Sequence, residues 1–190
     1  MKKISRRSFL TAMAAVSAAG VLTACGASSS TASSVVSSVA ASSEAATSSE
    51  AVPESVTIKA FNGVKELVDV EVPFDPQRIA ILELASLDIL DELGVGDRVV
   101  GTASTSLDYL QSYVTDDSIA NLGNIKEADM EAVMACEPDI IFIGGRLSKS
   151  YDALCEIAPV VFLVTDAEKG VVESTRENAM TIASIFGLED

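Results

Sequence analysis

The chain has 190 residues, of which 28 are acidic and 13 basic, for a formal net charge of −15 that makes nucleic acid a poor partner. It contains no histidine, which excludes His-based triads, HExxH zinc sites and imidazole acid–base catalysis. Beyond Cys25 only Cys136 and Cys155 occur, too few and too widely spaced for a zinc ribbon; both fall in helical patterns and read as small core residues rather than a disulfide.

The N-terminus carries Lys2, Lys3, Arg6 and Arg7 with no acid, followed by an apolar, small-residue stretch over residues 9–24. A membrane-spanning helix needs ~20 strongly apolar residues. This stretch is shorter and is diluted by Thr11, Ser17, Gly20 and Thr23, so residues 1–24 read as a removable signal peptide. Its end, Leu22-Thr23-Ala24-Cys25, resembles the lipobox of bacterial lipoproteins, in which the thiol receives diacylglycerol and cleavage leaves the cysteine as the new N-terminus. Each buried methylene of such a chain contributes ~0.8 kcal/mol, so two or three acyl chains on Cys25 hold the protein to the membrane. Ser5-Arg6-Arg7-Ser8-Phe9-Leu10 is also similar to the twin-arginine export motif, with Thr11 where that motif often has Lys. Ordinary basic leaders contain arginine pairs too, and both export routes stay open. Residues 27–52 are Ser, Ala, Thr and Val with scattered Glu, unable to bury enough surface to offset backbone ordering; residues 25–53 read as the lipidated Cys and a flexible tether.

The folded part begins with a predicted β-hairpin: residues 56–61, a type I′ turn at Asn62-Gly63, and a second strand to Val72, ended by Pro73 and Pro76. Arg78-Ile79-Ala80-Ile81-Leu82 is a continuous apolar run suited to a strand covered on both faces. Ser86 is placed to cap the next helix, with Leu87, Leu90 and Leu93 on its apolar side and Gly94 as its stop. The cycle then repeats as strand 98–101, a long polar loop, helix 130–136, strand 140–143, helix 151–157 and strand 160–164. A last helix spans residues 171–186, with Val172, Met180, Ile182 and Ile185 among its apolar positions. Alternation of this kind predicts an α/β fold with a parallel sheet and flanking helices, whose ligand site lies at the carboxyl ends of the strands.

Four loops stand at those ends: residues 83–86, 102–108, 144–146 and 165–170. None is a phosphate loop, since Gly144-Gly145-Arg146 lacks both GxGxxG and a following Lys-Ser/Thr. Arg146 is the fixed cation at the mouth of a central strand, where either a surface salt bridge or an anion site fits.

Several motifs together resemble substrate-binding lipoproteins of iron–siderophore ABC importers, a class that also handles cobalamin and haem. They are Pro76-Gln77-Arg78-Ile79, Ser86-Leu87-Asp88-Ile89-Leu90, Asn121-Leu122-Gly123-Asn124 before Asp129-Met130-Glu131, Glu137-Pro138-Asp139-Ile140-Ile141, and Ile157-Ala158-Pro159-Val160. Gly144-Gly145-Arg146 with Tyr151-Asp152 is further similar to the branch that binds catecholate siderophores. The resemblance implies a Rossmann-like first lobe of a two-lobed periplasmic-binding fold over residues 54–170, with residues 171–190 as the start of the helix joining the lobes. It implies a ferric siderophore as transported ligand, contacted by Arg146, Gly145, Glu83 and Ser104, and an ABC permease as partner, docked through Glu131. Arg146 then donates to catecholate oxygens, a task for which a planar, permanently charged fork suits better than an ammonium. Some members of the family carry a Lys in the loop after the second strand, where this chain has Ala103 and Ser104, which leaves the particular siderophore open.

Two other readings compete with a binding protein. An extracellular enzyme on a small α/β scaffold is opposed by the missing histidine and the lack of a nucleophile elbow. A one-lobed surface lipoprotein used only for interaction differs in what the gene encodes after Asp190. The leader makes its own prediction: Cys25→Ser releases uncleaved or soluble protein on cell fractionation, and unchanged processing with full membrane retention refutes the lipobox.

Overall fold

The computed structural model describes residues 53–189; the leader, Cys25 and the tether through residue 52 lie outside them. An antiparallel hairpin comes first, β1 (Ser55–Phe61) and β2 (Leu67–Pro73), paired in register from Ser55 opposite Pro73 to Phe61 opposite Leu67. The expected two-residue turn is replaced by a loop of residues 62–66. Asn62 organises it as an Asx turn: its side-chain oxygen accepts from the backbone N–H of Val64 at 3.1 Å and of Glu66 at 2.8 Å. The left-handed conformation falls on Lys65, at φ 64°, and not on Gly63.

The remaining elements are β3 (Ile79–Ile81), α1 (Leu84–Glu92), β4 (Val99–Thr102), α2 (Gln111–Val114), β5 (Ala120–Asn121), β6 (Gly123–Asn124), β7 (Glu127–Ala128), α3 (Met130–Ala135), β8 (Ile140–Ile143), α4 (Tyr151–Cys155), β9 (Val160–Phe162) and α5 (Val171–Phe186). Strands β5-β4-β3-β8-β9, in that spatial order, make one parallel sheet. Its two faces follow from the period of two along each strand. Ile79, Ile81, Ile140 and Phe142 join Leu87, Leu90, Ile182 and Ile185 on the side of α1 and α5. Ala80, Leu82, Ile141 and Ile143 join Val133, Leu154 and Phe162 on the other. Both faces are covered, which is why these strands are unbroken apolar runs.

Several sequence expectations are corrected. Ser86 is buried rather than capping; the N-cap of α1 is Glu83, whose carboxylate accepts from Ala85 N–H at 3.3 Å, because the helix starts three residues earlier than the apolar spacing implied. The long polar loop contains α2, the edge strand β5 and the small β6–β7 hairpin, pieces of two to four residues too short to carry a periodic signal. Cys136 is buried as expected, but Cys155, the last residue of α4, is exposed. Val172 and Met180 lie off the buried stripe of α5 and are 84% and 49% exposed. That helix closes at Gly187, a left-handed residue that also lies against the Phe74 ring. No helix among the described residues is long and apolar enough to cross a membrane.

At the amino ends of the two central strands, one carboxylate organises the crossover. Asp139 Oδ2 accepts from the backbone N–H of Gln77 and of Arg78, each at 2.9 Å, while the Arg78 guanidinium donates to the carbonyls of Glu137 and Cys136. Both donors belong to exposed residues, so removing the carboxylate hands them to water and forfeits only the net worth of the bonds, about 0.5–1.5 kcal/mol. Asp139→Ala is therefore expected to lower the urea midpoint by that stability with an unchanged slope, and an unchanged midpoint contradicts the role.

Candidate functional site

Chain order places the site. From β3 the chain moves outwards to β4 and β5, then crosses back to β8 and continues outwards on the other side to β9. Neighbouring loops leave β3 and β8 in opposite directions, so a crevice opens between them at the carboxyl ends, where open parallel sheets hold their ligands. Glu83 follows β3, and Gly144, Gly145 and Arg146 follow β8.

A cleft of about 320 Å³ occupies this position, bordered by Lys65, Glu83, Ala85, Ser86, Ile89, Gly145, Arg146, Leu163, Val164, Thr165 and Asn178. Three of the residues singled out from sequence therefore meet: Glu83, Gly145 and Arg146. Ser104 is not among the lining residues; its hydroxyl donates to the Gly123 carbonyl at 2.9 Å, and it borders a separate small hollow. Lys65 and Asn178 were missed. Nothing in the local sequence marks Lys65, since the hairpin loop reaches the cleft only through tertiary packing.

Close approach shapes the two glycines differently. A Cβ on Gly144 would lie 1.6 Å from Glu83 Oε2, so the absence of a side chain there leaves room for the capping carboxylate beside the end of β8. Gly145 faces open space, its nearest would-be contact being Val164 at 3.6 Å. It begins a 3-10 turn, Gly145–Ser150, whose buried Leu147 anchors the segment while Arg146 points to solvent. Among the described residues the ion pairs are Lys59–Asp69, Arg98–Asp75, Lys169–Glu177 and Arg176–Glu173, so Arg146 has no protein counter-charge. Among the described residues the surface salt bridge considered from sequence is not formed, and no hydrogen bond engages the guanidinium at the cleft.

A larger groove of about 510 Å³ runs between the hairpin and α5. Its cations are already engaged: Lys169 lies 2.6 Å from Glu177, which raises the lysine's affinity for its proton, and Lys59 lies 2.6 Å from Asp69. Among the described residues, the smaller cleft is thus bordered by cations without an ion-pair partner, whereas the lysines of the larger groove are paired. No group of three or more Cys, Asp or Glu side chains among the described residues is arranged to hold a metal ion. Glu131 is an exposed residue in the first turn of α3, whose N-cap Asp129 accepts from Ala132 N–H at 3.0 Å.

Residues 79–190 match the family described as periplasmic binding protein. The petrobactin-binding protein YclQ of Bacillus subtilis (strain 168) is 37% identical over 140 residues, covering 72% of this chain and 42% of that protein. The YclQ crystal structure superposes with a TM-score of 0.65 at 36% identity, covering 73% of this chain and 47% of the other. The periplasmic catecholate-siderophore binding protein VctP of Vibrio cholerae gives a TM-score of 0.63 at 31% identity, covering 72% and 47%. The chain therefore spans less than half the length of these relatives, and by its sequence, its doubly flanked parallel sheet and its switch-point cleft it belongs to the periplasmic binding protein family.

Proposed function

We propose that this chain supplies the first lobe of an extracytoplasmic solute-binding lipoprotein that captures a ferric catecholate siderophore and delivers it to an ABC permease, without catalysis of its own. The carrying observation is Arg146: an unpaired guanidinium at the switch-point cleft of an acidic chain. A ferric catecholate is an anion that presents pairs of oxygens to a planar donor fork, and its iron arrives already chelated, so no metal ligands are required of the lobe. The names of YclQ and VctP, which bind petrobactin and catecholate siderophores, support the same chemistry. Gly145 keeps the wall beside Arg146 free of side chain, and Glu83 sets the opposite edge. In this reading the connection to a second lobe leaves after the Gly187 cap, and lipid on Cys25 holds the protein at the membrane.

Glu131 is the proposed docking residue for the permease. An exposed carboxylate in the first turn of a helix projects stiffly, is favoured by the helix dipole, and stays unpaired until arginines of a partner reach it.

Two outcomes test these roles on the full-length product of the gene. Arg146→Ala weakens ferric catecholate binding by about 1.5–3 kcal/mol, the range for hydrogen bonds to charged groups, in a fluorescence-quenching titration; equal titrations for variant and parent refute it. Glu131→Arg abolishes uptake by cells while leaving siderophore binding intact, and uptake at the parental rate removes the docking role.

A further inference from the structure

We propose that Lys65, on the loop of the β1–β2 hairpin, is a second cationic contact of the cleft and selects for the more highly charged anions. The proposal rests on the reading of the cleft as a ferric catecholate site and adds to it a residue from outside the strand-end loops. Lys65 borders the same cleft as Arg146, and among the described residues neither belongs to an ion pair. The third charged residue at the cleft is Glu83, whose carboxylate is turned to the start of α1 and accepts from Ala85 N–H. In a chain with 28 acidic and 13 basic residues, two unpaired cations bordering one small cleft form a local field opposite to that of the whole molecule.

The loop is built to keep Lys65 there. Asn62 accepts from the Lys65 N–H through its carbonyl at 2.9 Å, and its amide oxygen takes the N–H groups on either side of Lys65. These bonds hold Lys65 at φ 64°, a left-handed conformation that side-chain-bearing residues adopt rarely. A Gly or Asn would meet that backbone demand more easily, and the lysine stands where turn chemistry does not ask for it. The loop is also seated against the segment that follows Arg146. A Cβ on Gly63 would lie 3.3 Å from Tyr151 Cβ and 3.5 Å from Asp152 Oδ1, so the loop backbone rests on the first turn of α4. Phe162 secures both sides, its ring 6.0 Å from that of Phe61 at the hairpin end and 6.3 Å from that of Tyr151. Hairpin loop and Arg146 turn are thus held against one another through one aromatic cluster.

The two cations are chemically unlike. Arg146 offers a planar fork on a short turn, whereas Lys65 is a point charge on a flexible stem that follows charge rather than geometry. Its effect is therefore expected to grow with ligand charge and to fade with salt. The test titrates the full-length gene product with ferric tris-catecholate and with the less charged ferric bis-catecholate, by fluorescence quenching at low and high salt. Lys65→Met is expected to weaken the tris complex about fivefold and the bis complex less than about twofold at low salt, and Lys65→Arg to restore most of the difference. Parental affinity of Lys65→Met for both complexes overturns the contact while leaving the catecholate reading standing. Loss in Lys65→Arg equal to that in Lys65→Met overturns it as well, because the loop conformation and not the charge then matters. A parent protein that binds neither complex removes the catecholate reading itself, and this contact with it.

Discussion

The parallel pairing of β3 with β8 is the constraint from which the site follows. Arg78 and Asp139 are 61 residues apart in the chain, yet the Asp139 carboxylate takes the N–H groups at the entrance to β3, and Arg78 closes on the carbonyls before β8. With the two strands locked side by side, Ile79–Ile81 faces Ile140–Phe142 in register, and both faces of the pair are covered by helices. The loops at their far ends must then diverge, since the chain leaves β3 towards β4 and leaves β8 towards β9. The crevice between Glu83 and Arg146 is what that divergence produces. A polar clamp at one end of the sheet thereby fixes the strands whose other ends border the crevice in which the ligand is proposed to fit.

The central strands and long helices were legible because their signal is physical and repeated. Runs such as Ile140–Ile143 have every residue buried, and the long α5 carries its core positions at helical spacing. What was not legible depends on single contacts. Ser86 has the chemistry of a cap, but Glu83 has the place, since the helix begins where β3 ends rather than where the leucine stripe begins. Asn62-Gly63 has the composition of a tight turn, but the pairing stops at Phe61 opposite Leu67 and the left-handed residue is Lys65. Strands of two residues in the region after β4 have no period to read.

The lining of the cleft was half legible for the same reason. Loops after strands are found by counting elements, which located Glu83, Gly145 and Arg146. Ser104 follows β4 by the same logic, but its hydroxyl is taken by Gly123, and β4 lies one strand away from the switch point. Lys65 comes from a hairpin outside the parallel sheet and enters the cleft because Gly63 permits the loop to lie on Tyr151. Among the described residues, Lys65 and Arg146 border the cleft without an ion-pair partner, so the attraction for anions proposed here is local in a chain whose net charge is −15.

The central claim is that the switch-point cleft, and not the larger groove along α5, receives the iron complex. A crystal structure of the full-length gene product with ferric catecholate, with anomalous scattering measured at the iron edge, locates the metal directly. The expected result is an iron peak in the cleft bordered by Glu83 and Arg146, with the Arg146 guanidinium donating to catecholate oxygens. An iron peak in the groove lined by Met180 and Lys169, or a bound complex without contact to Arg146, contradicts the claim.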